Sequence, residues 1–197
     1  MKSLAIEREF GSGGRDIGKK VAALAKIPYY DGEMLIKEAE AKGISLDLLK
    51  EYDEQKTGSI LYNIALFANY NQDMNQSKIY EVCCGIQETI RNLEMQGPAV
   101  FIGRCSTEIL RGNPQVVRAY IYSSEEQKRI DRIVRTEQVP PEEARKLMAK
   151  KDRQRSSYFR FWTQKKWEDR KNYDLELNTS ELSPDACAQI LLTAMKL

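Results

Sequence analysis

Arg8-Glu9-Phe10-Gly11-Ser12-Gly13-Gly14-Arg15-Asp16-Ile17-Gly18-Lys19 follows a short apolar run, Ser3-Leu4-Ala5-Ile6, and leads into a helical pattern. A glycine-rich turn between a first strand and a first helix is a phosphate-holding device. Glycines let the backbone approach an anion, and the helix N-terminus adds unpaired N–H groups and a favourable dipole. The usual pattern, G-x-x-x-x-G-K-[ST], is not met. With Gly13 as the last loop glycine, Gly14 stands in the lysine's place and Arg8 in that of the first glycine. Arg15 comes one position after the missing lysine.

The 197 residues are enough for one domain able to bury roughly 70% of its unfolded surface, so disulfides are not needed. With 42% hydrophobic and 30% charged residues and a net charge of +2, the profile is globular, and no global field draws it to nucleic acid or membrane. No apolar run reaches the roughly 18 residues of a membrane span, and the short apolar start does not read as a secretory signal. Cys83, Cys84, Cys105 and Cys187 lack metal-ligand spacing and fit reduced thiols in a cytoplasmic protein. The chain has no histidine, which removes the commonest general base and the commonest metal ligand. Phosphoryl transfer works with what remains, because positioning and charge stabilisation do most of it.

Periodicity predicts strands over 2–7, 99–102, 116–122 and 173–177, with a short extended segment at 29–31. It predicts helices over 16–25, with Ile17, Val21 and Leu24 on one face, and over 33–41, ended by Gly43. A helix over 46–54 capped by Ser45, an Asn- and Gln-rich stretch at 55–75 and a long helix over 77–96 follow. The remaining helices run over 107–111, from Ser123 to 137 with Glu126 completing a capping box, from Pro141 into the basic segment 150–155, and over 184–195. Arg129 and Arg132 on the Ser123 helix read as surface pairs or supports for that basic segment. Strands alternate with helices throughout, which implies a parallel sheet covered on both faces.

Several segments, taken in order, resemble the cytidylate kinase-like family of nucleoside monophosphate kinases nearly end to end. They are the loop with Lys19-Lys20, Ile27-Pro28-Tyr29-Tyr30-Asp31, Phe101-Ile102-Gly103-Arg104, Asp152-Arg153-Gln154-Arg155 with Tyr158 and Trp167, and Tyr173-Asp174-Leu175-Glu176-Leu177-Asn178-Thr179. The resemblance implies a three-layer α/β sandwich with a parallel sheet of about five strands. It implies a core at 1–31, 97–149 and 170–197, a helical acceptor-binding insertion at about 32–96 and a lid at about 150–169. The implied reaction moves the γ-phosphate of ATP to a nucleoside monophosphate, CMP or dCMP, with Mg²⁺. A kinase for another small acceptor, or a non-catalytic nucleotide sensor, shares the same fold.

By position, Gly11, Ser12, Gly13, Gly14, Arg15 and Asp16 would wrap the donor phosphates. Asp16 would ligate Mg²⁺ or simply favour the helix N-terminus. Asp31 would orient the acceptor or cap the next helix. Arg104, past the end of a buried strand, would hold the acceptor phosphate; Cys105 stands where the family has an aspartate. In the lid, Asp152 would bind substrate, and Arg153 and Arg155 would join Arg15 in offsetting charge, unless the segment is only a solvated basic face. Tyr158, Phe159, Phe161 and Trp162 after the basic run leave open a single-stranded nucleic-acid surface. The near-neutral total charge disfavours it. The expected partner is therefore a small-molecule nucleotide, with no membrane and with monomer or homo-oligomer left open.

Overall fold

The computed structural model of the chain describes residues 1–41 and 78–197. Strands β1 (Ser3–Arg8), β2 (Tyr29–Tyr30), β3 (Val100–Ile102), β4 (Val116–Tyr122) and β5 (Leu175–Asn178) pair in the order β2-β3-β1-β4-β5, every pair parallel. The described helices are α1 (Gly14–Ala25), α2 (Gly32–Ala41), α3 (Lys78–Met95), the single-turn α4 (Ser106–Ile109), α5 (Glu126–Glu137), α6 (Pro141–Thr163) and α7 (Pro184–Lys196). β1 sits between β3 and β4, so the chain crosses to one side of it first and to the other later.

The central strands alternate their burial between two helical layers. Leu4, Ile6, Val100 and Ile102 pack with Ile17 and Val21 of α1 and Leu191 of α7. Their neighbours Ala5 and Phe101 face the other way, onto Leu35 and Ile36 of α2 and Ile86 and Ile90 of α3. A strand covered on both faces must be apolar throughout, which explains the unbroken run 99–102. The result is the three-layer α/β sandwich that the alternation of strands and helices predicts.

Two local expectations are corrected. Leu24 is half exposed, because the buried stripe of α1 runs through Gly14, Ile17, Gly18 and Val21 instead. The helix presses so close to the sheet that a Cβ on Gly18 would lie 2.9 Å from Cδ1 of Ile102. The capping box at Ser123 does not form. α5 starts only at Glu126, after an N-cap Glu125 that makes no side-chain cap bond. Ser123 Oγ instead meets Ser180 Oγ at 2.7 Å and donates to the Glu125 carbonyl. The stop of the 33–41 helix at Gly43, the helix predicted over 46–54 with its cap Ser45, and the stretch 55–75 lie outside the described residues.

α6 takes the basic segment 150–155 into one continuous 23-residue helix. Its C-terminal half is anchored by an aromatic cluster: Tyr158 and Phe159 pack with Tyr120, Trp167 and Tyr173. Tyr120 meets Trp167 edge-on at 5.4 Å and stacks on Tyr173 at 4.9 Å. Trp167 Nε1 donates to Glu7 Oε2 at 3.2 Å, and the Tyr173 hydroxyl donates to the Trp167 carbonyl at 2.5 Å. Burial pushes the Tyr120 and Tyr173 phenols far above their ordinary range. Tyr158 and Phe159 are therefore core rather than a stacking platform for bases, and Phe161 and Trp162 pack against the same cluster. No described helix is long and apolar enough to cross a membrane.

Trp167 is the largest fully buried side chain among those described, and its truncation leaves a cavity beneath α6. Trp167→Ala is expected to cost about 3–5 kcal/mol, read as a lower urea midpoint at unchanged slope. A loss well below that range would show that the cluster does not hold α6 in place.

Candidate active site

The C-terminal ends of β1 and β3, the start of α1, the start of α2 and the inner faces of α5 and α6 enclose a cleft of about 420 Å³. This is the crevice beside a topological switch point, where open α/β sheets bind ligands. Its floor is the loop between β1 and α1, held in shape by three helices and a strand end. Ser12 Oγ donates to the Glu9 carbonyl at 2.9 Å and accepts a long bond from the Gly14 N–H, closing the turn on itself. Ser12 is fully buried and does not line the cleft.

Arg129 of α5 ties this loop to α6. Its Nε donates to the Phe10 carbonyl at 2.9 Å, and its guanidinium pairs with Asp152 and, at 3.3 Å, with Glu9. Asp152 also accepts the Phe10 N–H at 2.7 Å, so both backbone groups of Phe10 are satisfied. Glu9 accepts the Ser123 N–H at 3.0 Å, joining the loop to the end of β4. Burial raises the Glu9 carboxyl, and the bonds from Ser123 and Arg129 offset only part of that rise. Of the two roles its sequence position allowed, Arg129 is thus the support for the basic segment, a buried hub, and not a surface pair.

The glycines of the site make room for arginines. A Cβ on Gly14 would lie 2.6 Å from Cβ of Arg8, and one on Gly103 would lie 2.0 Å from Nη1 of Arg8. A Cβ on Gly13 would lie 2.6 Å from Nη1 of Arg132, and one on Gly32 would lie 3.0 Å from Nε of Arg104. Real Cβ contacts do not fall below about 3 Å without displacement: at Gly14 the neighbour is the Cβ of Arg8 itself, whereas at Gly13, Gly32 and Gly103 the guanidinium end of an arginine would have to move aside. At the end of β3 the backbone is left-handed for three residues, Gly103 (φ 78°), Arg104 (φ 59°) and Cys105 (φ 55°). Such a conformation costs on the order of 1–3 kcal/mol per non-glycine residue and is characteristic of ligand clamps. It carries Arg104, 4% exposed, into the cleft wall against the first turn of α2.

Gly11, Gly13, Gly14, Arg15 and Asp16 all line the cleft, as do Asp31, Arg104 and Arg155. Arg155 lies over the Phe10 ring and donates to the Arg8 carbonyl at 3.0 Å, so the predicted lid segment is docked onto the loop. Lys151 and Arg155, one helical turn apart, face the cleft; Arg153, between them in sequence but on the opposite side of the helix, is exposed and outside it. Asp152 is also outside the lining, with its oxygens committed to Phe10 and Arg129. Two further arginines line the cleft that the sequence did not place among the site residues: Arg8, seen only as a departure from the loop pattern, and Arg132, read as a surface pair or a support for the basic segment. The signal for Arg8 was its place at the first loop glycine, opposite the lysine-to-glycine departure at 14. Arg132 carries no comparable mark.

Asp31 caps α2, its Oδ1 accepting the Met34 N–H at 3.2 Å, while Oδ2 takes Nη2 and Nε of Arg15 at 2.6 and 3.1 Å. Burial pushes the Asp31 carboxyl up, but the Arg15 and Met34 bonds outweigh it and leave it below its ordinary value. The ionised carboxylate therefore stabilises the fold above about pH 4, and that contribution is lost as pH falls through the depressed folded value. Asp31→Asn keeps the cap and removes the charge. Because Arg15 is half exposed, the difference at neutral pH is expected to stay within about 1 kcal/mol. In thermal unfolding across a pH series it should vanish on acidification; a difference constant with pH would contradict the ion pair's role.

Comparison with solved structures gives the same architecture. An uncharacterized protein from Eubacterium ventriosum ATCC 27560 aligns over 100% of this chain and 99% of its own, with a TM-score of 0.75 and 24% identity. Shikimate kinase from Acinetobacter baumannii, in complex with shikimate, aligns over 100% and 93% with a TM-score of 0.51 and 13% identity. A gluconokinase from Sinorhizobium meliloti 1021 aligns over 99% and 91% with a TM-score of 0.53 and 13% identity. Among curated proteins none matches this chain. At these identities the likeness establishes the P-loop kinase fold. The profile of the cytidylate kinase-like family, however, matches residues 3–181, and the chain belongs to that family.

Proposed function

We propose that this protein is an ATP-dependent phosphotransferase that moves the γ-phosphate of ATP to a nucleoside monophosphate, with CMP and dCMP the first candidates. The observation that carries the reading is the convergence of Arg8, Arg15, Arg104, Arg132, Lys151 and Arg155 on one cleft at the N-terminus of α1. Six cations around first-turn N–H groups suit a polyanion, and a single phosphate would not need them. The donor phosphates would lie over Gly13, Gly14 and Arg15. The acceptor phosphate would lie on the β3 side, against Arg104. Arg15, Arg155 and Lys151 would offset charge as it moves between them. Asp152 acts here as a positioning residue that holds the loop and α6 together through Phe10 and Arg129.

The donor set suits Mg²⁺. Asp16 and Glu33 bring carboxylate oxygens to the cleft, and no cluster of three metal-ligating side chains exists among the described residues. Mg²⁺ takes one or two protein carboxylates and completes its octahedron with water and substrate phosphates. Asp16 would hold it, and the ion when bound would neutralise donor phosphate charge.

An acceptor phosphate is already an anionic nucleophile and needs no base. A hydroxyl acceptor needs one. Of the carboxylates nearest the phosphate loop, Arg15 holds Asp31 ionised and weakly basic, Glu9 is bonded to Ser123 and Arg129, and Asp16 is the proposed metal ligand; Glu33 and Glu137 lie farther along the lining, and there is no histidine. This favours a phosphate acceptor over a hydroxyl such as shikimate, the ligand of one structural neighbour.

The test is ADP release with ATP and Mg²⁺ against a panel of nucleoside monophosphates and shikimate. Turnover that depends on CMP or dCMP is the expected result. Turnover with shikimate alone would overturn the acceptor class, and ATP binding without turnover on any acceptor would leave a nucleotide sensor. Arg104→Ala should raise the acceptor KM about 100-fold while leaving the ATP KM nearly unchanged. An equal rise in both would remove Arg104 from the acceptor side.

A further inference from the structure

We infer that Arg8 is the phosphate-binding cation of the donor site. From the end of β1 it takes over the task that a lysine at the start of α1 performs in the ordinary phosphate loop. The inference rests on the phosphotransferase reading above and names the residue that makes its lysine-free loop competent.

Two departures from the usual pattern offset each other in space. At position 14 a glycine replaces the lysine; at position 8 an arginine replaces the first glycine. Gly14 is the first residue of α1, where the lysine side chain would rise toward the phosphates. The room it leaves is filled by Arg8, whose Cβ and Cγ would lie 2.6 and 3.0 Å from a Cβ there. The far end of Arg8 runs against Gly103, where any side chain would collide with its guanidinium. One long cation is lost from the helix start and one gained from the adjacent strand end, both opening on the same cleft.

The hydrogen-bond state of Arg8 points to a ligand. Its Nε and Nη1 are shut off from solvent and have no hydrogen-bond partner among the described residues. Buried donors are normally satisfied, and two on one partly buried guanidinium are an exception. Its own carbonyl is engaged by Arg155, so the strand end is fixed while Nε and Nη1 stay uncommitted among the described residues. Arg15, the nearest alternative in sequence, is half exposed and committed to Asp31 through two nitrogens. A guanidinium reaching phosphate oxygens as a fork gives two parallel charge-assisted bonds where the lysine gives a point charge.

The experiment is calorimetric titration of the whole chain with ATP and, separately, with inorganic tripolyphosphate, which needs no base or ribose contact. Arg8→Met is expected to weaken both about 100-fold. Arg8→Gly combined with Gly14→Lys restores the ordinary loop pattern and should recover most of the lost affinity. Gly14→Lys alone should destabilise the protein, because the new side chain meets Arg8. Arg8→Met binding both polyphosphates as tightly as the unaltered chain would overturn the inference and leave the phosphotransferase reading standing. An unaltered chain that binds neither would overturn both. Loss of binding in Arg8→Met with no turnover on any acceptor by the unaltered chain would support Arg8 and remove the kinase. Should Arg8→Met fail to fold, the double variant decides: polyphosphate binding by it supports the exchange, and a folded double variant that does not bind overturns it.

Discussion

Missing β-carbons are the constraint on which this cleft depends. Gly13, Gly14, Gly32 and Gly103 each stand where a side chain would overlap Arg132, Arg8 or Arg104. Glycine is costly in regular structure because it surrenders more conformational freedom on folding than other residues. Here that cost lets three long cations run inward past the backbone and end at one place. Their convergence concentrates positive charge in the cleft, and a Cβ at any of the four positions would press on one of them. The left-handed turn at 103–105 belongs to the same construction, since it turns the chain sharply enough to bring Arg104 back against α2.

Concentrating positive charge in a fold is stable only if the surrounding framework resists it. The framework here is the pairing of α5 and α6 over the loop. Arg129 satisfies Phe10, Glu9 and Asp152 together, so a buried guanidinium is fully compensated and the loop cannot drift from the helices. Behind that hub the aromatic cluster pins the far half of α6 to Glu7, the residue before Arg8 on β1. Phosphate loop, basic helix and strand end are thereby one mechanical unit. Lys151 and Arg155 keep their places because Tyr158, Phe159 and Trp167 are core.

The electrostatic logic of the cleft is uneven by design of position. Carboxylates are present, but Glu9 is drawn into the framework and Asp31 is held by Arg15 and by the end of α2. Asp16 alone sits exposed at the start of α1, where an oxygen ligand can meet both solvent and phosphate. The division keeps Glu9 and Asp31 tied to the framework and leaves Asp16, Glu33 and Glu137 as the other carboxylates along a cleft otherwise lined by cations.

The chain by itself determined the architecture and the place of the site. Alternating apolar runs and amphipathic stretches fix a parallel sheet, because a strand buried on both faces and a helix with one apolar stripe leave few other ways to pack. The glycine turn after the first strand marks the cleft, since local sequence alone sets strand, turn and helix start. What the tertiary structure decided is which side chains meet there. Arg8 enters through space left by Gly14 and by Gly103, 95 positions away, and Arg129 finds partners on either side of it in the chain. Leu24 and the Ser123 cap were misread for the same reason: the closeness of α1 to the sheet and the pull of Ser180 are long-range facts. Periodicity carries the direction of a side chain on its own element. Only the packing of distant elements says whether that direction ends in solvent, in core or on a phosphate.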